Sequence, residues 1–204
     1  MAVITISRQF GAGAMTLGKG LSERLGYHYV NREIIKDMAQ EIKVSYDDIR
    51  AFENLGSKAF MKVLDKIVST DFIERLVSEK YGYVDEERYV KVLTAIVKKI
   101  YAEDNAVIIG RGAQYILRGL ENTWHILLIA DPKHRTDFLM EQFNLTKTDA
   151  ERAMRRSDRS RNLILSCFDD TLSHDDPRLY DLVINTTRVT MEKAEGMVVS
   201  LVSS

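Results

Sequence analysis

Gly11-Ala12-Gly13 stands between an apolar run, Val3-Ile4-Thr5-Ile6, and a helical pattern that stops at Gly26. Glycines in such a turn let backbone N–H groups approach an oxyanion, and the positive end of the helix dipole favours its charge. Gly11, Ala12, Gly13, Ala14, Met15 and Thr16 are therefore expected to cradle phosphate oxygens. A tight connection with no ligand is the other reading of the same glycines. In the standard loop GxxxxGK[ST], a lysine reaches the β- and γ-phosphates and the next hydroxyl binds Mg²⁺. With the loop glycines superposed, Arg8 takes the place of the first glycine, Ala14 that of the lysine and Met15 that of the hydroxyl, with Thr16 next. The balancing cation must come from elsewhere, and Arg8, at the end of the strand, is expected to supply it. A structural salt bridge from Arg8 to an acid such as Glu33 is the alternative. Thr16 offers a hydroxyl toward the metal's hydration shell. Lys19 lies one turn further on and reads as a solvated helix residue.

A second constellation is Arg152, Arg155, Arg156, Arg159 and Arg161, most of them at helical spacings of three and four. Glu151 and Asp158 are the acids counted against them, so the excess of arginine suits a lid that closes over phosphates rather than a self-paired face. A solvated basic face is the bland reading. Gly110-Arg111-Gly112 follows an aliphatic run and places an arginine where backbone can approach a ligand; a tight turn with a surface arginine is equally consistent. Asn31-Arg32-Glu33 follows another run, with Asn31 a helix cap and Arg32 facing an acceptor. The histidines show no metal-ligand spacing, His125 reads as structural, and nothing near Cys167 marks an activated thiolate.

Positioning these groups requires strands and helices in alternation. Residues 3–7, 28–30, 106–110, 124–130 and 182–185 read as buried parallel strands. Between them fall helical patterns at 31–42, 46–55, 58–80, 86–103, 131–143, a stretch opened by Thr146 and Asp149, and 190–202. The apolar stripes of 58–80 and 86–103 read as core packing. Alternation of this kind predicts a doubly wound α/β sheet whose ligands sit beyond the carboxyl ends of the strands.

At 204 residues, with 45% hydrophobic and 29% charged residues, the chain suits one globular α/β domain. The net charge of -1 gives no reason to expect a nucleic-acid partner. No run approaches the length of a spanning helix, no signal-peptide pattern is evident, and one cysteine forms no internal disulfide. The expectation is a cytoplasmic protein without a membrane partner, its oligomeric state open.

Together these positions resemble the cytidylate kinase-like family, a nucleoside monophosphate kinase branch of the P-loop NTPases. The resemblance rests on ITISRQFGAGAMTLGKGLSERLG, VIIGRGAQYIL, RSDRSRN and LYDLVINTTRVT in this order, with Asp158 and Arg161 matching an Asp-x-x-Arg pair of the lid. It implies a P-loop NTPase-type doubly wound five-stranded parallel sheet of order 2-3-1-4-5, with a helical insertion and an Arg-rich lid. It implies a single domain over residues 1–204: core 1–30 and 104–204, insertion about 31–103, lid about 144–170. It implies transfer of the γ-phosphoryl group of ATP, with Mg²⁺, to a nucleoside monophosphate or another small acceptor. Arg8, Arg155, Arg159 and Arg161 would carry the transfer, and Arg32, Arg111 and Asp158 would address the acceptor. True cytidylate kinases have Gly-Lys-Ser-Thr in the loop and Gly-Arg-Asp after the third strand; here these are Gly13-Ala14-Met15-Thr16 and Gly110-Arg111-Gly112. That departure supports the rival expectation, a nucleotide-binding regulatory protein with little or no turnover.

Overall fold

The computed structural model describes residues 2–30, 82–171 and 173–203, with the side chains of residues 82–89 excepted. Arg32 and the helices expected between 31 and 80 lie outside the described residues. Five strands, β1 (Val3–Arg8), β2 (His28–Val30), β3 (Ala106–Ile109), β4 (Thr123–Ile129) and β5 (Leu182–Asn185), form one sheet. Its order is β2-β3-β1-β4-β5 and all its pairings are parallel, as expected. The described helices are α1 (Ala14–Leu25), α2 (Gly82–Glu103), the short α3 (Ala113–Ile116), α4 (Pro132–Phe143), α5 (Lys147–Ser166) and α6 (Met191–Val202).

Side chains alternate across a strand, so β1 supplies both faces of the sheet. Ile4 and Ile6 pack with Leu17 and Leu21 of α1 and Ala194 and Val198 of α6. Val3 packs on the opposite side with Val92, Leu93, Ile96 and Val97 of α2. The helix α2 thus covers the sheet itself, although the sequence puts residues 31–103 together as an insertion. Its apolar stripe at i, i+3 and i+4 is what the sheet buries. A third cluster joins Leu139 of α4 to Ala150 and Met154 of α5, with Phe10 packed against it.

Polar groups inside the sheet are paired. Thr5 Oγ1 meets His125 Nδ1 at 2.8 Å, and His125 N donates to Asp181 Oδ2 at 2.7 Å. His125 is structural, as its place in a strand suggested. Burial depresses its pKa, and His174 is depressed likewise by burial and by Arg161. Asp181 beside His125, and Asp175 and Asp169 beside His174, oppose the shift without reversing it. The folded state therefore refuses protons that the unfolded chain accepts, so this stability is present above the unfolded pKa of about 6.5 and falls as pH drops below it. Urea unfolding at about pH 7.5 and 5.5 is expected to show a lower midpoint at the acid value. A midpoint that stays flat or rises would contradict this.

Candidate active site

The strand β1 leads through Arg8 into a loop held from both sides. Gln9 N donates to Leu128 O at 3.0 Å, and Ala12 N turns back to Gln9 O at 3.1 Å. The Gln9 side chain accepts from Ala130 N at 3.2 Å and donates to Asp175 Oδ2 at 3.0 Å. Gly11 and Gly13 have φ of +88° and +86°, a region that favours glycine. Packing makes a second demand: a Cβ on Gly11 would lie 3.1 Å from Arg135 Cβ, and one on Gly13 would lie 2.7 Å from Met191 Cε. Gly13→Val therefore strains the fold as well as any phosphate contact. Ala12 and Ala14 turn their methyl groups into the core, leaving Met15 and Thr16 as the exposed side chains of the loop. Gly13 caps α1 with no side-chain hydrogen bond, so no capping side chain occupies the N–H groups of its first turn.

The root of α5 is fastened to this loop. Asp158 Oδ1 accepts from Phe10 N at 2.9 Å, and Oδ2 accepts from Arg135 Nη1 at 2.6 Å. Arg135 Nη1 also reaches Phe10 O at 3.3 Å. Asp158, expected to address an acceptor, is thus engaged by the loop and by α4. One turn further on, Arg161 Nη1 donates to Asp175 Oδ1 at 2.8 Å, and Nη2 to Ser7 Oγ at 3.0 Å and His174 O at 3.3 Å. Only 12% of its side chain is exposed.

Of the expected lid arginines, Arg161 alone turns in to the end of β1. Arg155 and Arg159 lie on the solvent side, Arg155 3.6 Å from Glu151. Asp149, expected as the capping partner of Thr146 and not counted against the arginines, lies 3.9 Å from Arg152, so part of the arginine excess is balanced within the helix. Arg156, a member of the expected cluster, is half-buried. Its Nε is buried without a hydrogen bond, and burial lowers its pKa. Its only sequence signal is membership of the cluster.

Beyond β3, Gly110, Arg111 and Gly112 take φ of +70°, +65° and +65° in succession. A left-handed arginine between two glycines is strained backbone of the kind found at ligand turns. The Phe168 ring occupies the space beside Gly112 and stacks on Tyr115, with centroids 6.1 Å apart and planes at 6°. Tyr115 OH meets His174 Nδ1 at 2.7 Å. Burial, with the neighbouring Tyr180, pushes the Tyr115 phenol up to about 12. Arg8 extends across to this turn: a Cβ on Gly110 would come 2.5 Å from its Nη1. Tyr29 of β2 lies near enough for the Arg8 charge to act on its pKa.

A sequence model of the cytidylate kinase-like family matches residues 3–188. No curated protein matches the chain. Among solved structures, an uncharacterized protein from Eubacterium ventriosum is similar at a TM-score of 0.69 and 20% identity, over 100% of this chain and 99% of that one. Shikimate kinase from Acinetobacter baumannii in complex with shikimate is similar at 0.51 and 13%, over 99% and 93% of the two chains. A gluconokinase from Sinorhizobium meliloti is similar at 0.51 and 10%, over 99% and 91%. At these identities the likeness is one of fold: a P-loop kinase sheet.

Proposed function

The chain belongs to the cytidylate kinase-like family, and on that premise we propose that it is an ATP-dependent phosphotransferase acting on a nucleoside monophosphate or another small acceptor. The observation that carries this is the N-terminus of α1, capped by Gly13 with no side-chain hydrogen bond and opening at the carboxyl end of β1, which Arg161 reaches through Ser7. The N–H groups of Gly11 to Thr16 hold the β-phosphate. Arg161 and, on closure of about 144–170, Arg155 and Arg159 neutralise charge developing at the γ-phosphate. Phosphoryl transfer asks for positioning and charge more than covalent chemistry. Arg111 and Arg32 address the acceptor. Thr16 would offer its hydroxyl to the hydration shell of an Mg²⁺ ion brought by the nucleotide, which would supply charge neutralisation there; among the described residues no group of three or more His, Cys, Asp or Glu could hold a metal.

The proposed unit is one domain with a helical insertion, and its proposed setting is the cytoplasm, where ATP is abundant. Among the described residues no helix is long and apolar enough to cross a membrane.

Purified protein incubated with ATP–Mg²⁺ and a panel of nucleoside monophosphates and small hydroxy acids is expected to form ADP with at least one of them. ATP or ADP is expected to raise the melting temperature, since a ligand selective for the native state stabilises it by mass action. No thermal shift at millimolar nucleotide, with or without Mg²⁺, would sink the reading. A nucleotide-binding regulator is the second reading, favoured by the buried Ala14 at the lysine position. Binding without ADP formation across the panel selects it.

A further inference from the structure

Arg8 is the cation at the end of β1. Among the described residues no carboxylate pairs with it. Asp158, whose charge acts on it, is engaged by Phe10 N and Arg135, and Asp175 by Arg161 and Gln9. Burial lowers the Arg8 pKa, and the nearby Arg161 lowers it further. A desolvated charge without a counterion is costly, and the cost is relieved when an anion joins it.

The direction of the side chain says where that anion lies. β1 has β3 on one side and β4 on the other. The Arg8 guanidinium crosses toward β3 and fills the space a side chain on Gly110 would take. It comes within electrostatic reach of Tyr29, whose ring packs against Gly18 and whose strand lies beyond β3. The loop glycines, by contrast, meet Arg135 and Met191.

We infer that Arg8 anchors an oxyanion of the phosphoryl acceptor, a phosphomonoester or a carboxylate, seated against the Gly110 turn on the β3 side of β1. This rests on the phosphotransferase reading for the word acceptor, while the anion site itself stands on the geometry. It narrows the substrate class. A neutral nucleoside or sugar would leave this half-buried guanidinium with no anion from the described residues or the ligand, so the acceptor carries a negative group besides its nucleophilic oxygen, or that group is itself the nucleophile. Arginine suits this place because its planar fork spans two oxygens of one anion.

The test measures two affinities separately by calorimetry on wild type, Arg8→Gln, Arg8→Lys and Gly110→Ala. The first is for ATP–Mg²⁺. The second, on nucleotide-free protein, is for the probes CMP, AMP, inorganic phosphate and glycerate. Phosphate-bearing probes and glycerate distinguish the two oxyanion sources. Wild type is expected to bind at least one probe. Arg8→Gln should weaken that probe by about tenfold or more, the scale of a lost charge-assisted hydrogen bond. Its affinity for ATP should change by less than about threefold on the same scale. Arg8→Lys should recover part of the loss, and Gly110→Ala, which puts a methyl against Nη1, should mimic Arg8→Gln with its circular dichroism unchanged.

Equal weakening of ATP and probe would overturn the inference in favour of a substitute for the loop lysine. A lower melting temperature with both affinities intact would overturn it in favour of a structural cation. A wild type that binds none of the probes overturns it outright. A wild type that binds a probe but no ATP would sink the phosphotransferase reading and leave the anion site standing.

Discussion

Asp158→Ala is expected to lower the melting temperature by about 5–10 °C and to weaken ATP binding in the same protein. Arg135 has 9% of its side chain exposed and Asp158 28%, so removing the carboxylate strands a nearly buried guanidinium. Breaking a fully buried pair costs about 3–5 kcal/mol; the partial exposure of Asp158 brings this to about 2–3. For a chain of this size each kcal/mol moves the midpoint by about 2–4 °C. The second effect follows from the other oxygen: Asp158 Oδ1 holds Phe10 N, one residue before Gly11. Asp158→Asn keeps an acceptor for that N–H but loses the charge, so it should retain more ATP affinity than stability. A melting temperature within about 1 °C of wild type for Asp158→Ala would show that the Arg135 pair contributes little.

Arg161→Ala is expected to lower turnover by about 10²–10³-fold with a smaller change in ATP affinity, the scale of a removed transition-state charge. Arg161 spans Asp175, Ser7 and His174 with one planar fork, which a lysine cannot reproduce, so Arg161→Lys should recover little. Asp175 stays anchored through Gln9, so the melting temperature should fall less than in Asp158→Ala. Arg155→Ala and Arg159→Ala, at solvent-exposed positions, should cost less turnover than Arg161→Ala. Single-turnover kinetics with the acceptor identified from the panel separates chemistry from binding. Turnover within about threefold of wild type for Arg161→Ala would remove it from the catalytic set.

Much of this protein is legible in its sequence because local physics decides it. Aliphatic runs such as Val107-Ile108-Ile109 are strands because both faces of the sheet are covered, and the structure places β3 there. Gly11 and Gly13 mark the loop because only glycine takes those φ values without cost. The inward face of α5 was also within reach: Ala150, Met154 and Leu165 are buried, and Asp158 and Arg161 continue that face four and seven residues after Met154. Counting arginines rather than tracing that apolar stripe put Arg155 and Arg159 beside Arg161.

What the sequence could not show is which charges find each other. Arg135 meets Asp158 twenty-three residues on, Ser7 meets Arg161 across 154 residues, and Arg8 reaches Gly110 from the neighbouring strand. No spacing rule encodes such pairs, because the sheet order that brings β1 beside both β3 and β4 decides which side chains share one edge. Tertiary structure alone therefore separates Asp158, paired with Arg135, and Arg161, held by Asp175, Ser7 and His174, from Arg8, which no carboxylate among the described residues pairs with: a cation's role depends on which counterions the fold brings within a few ångströms of it.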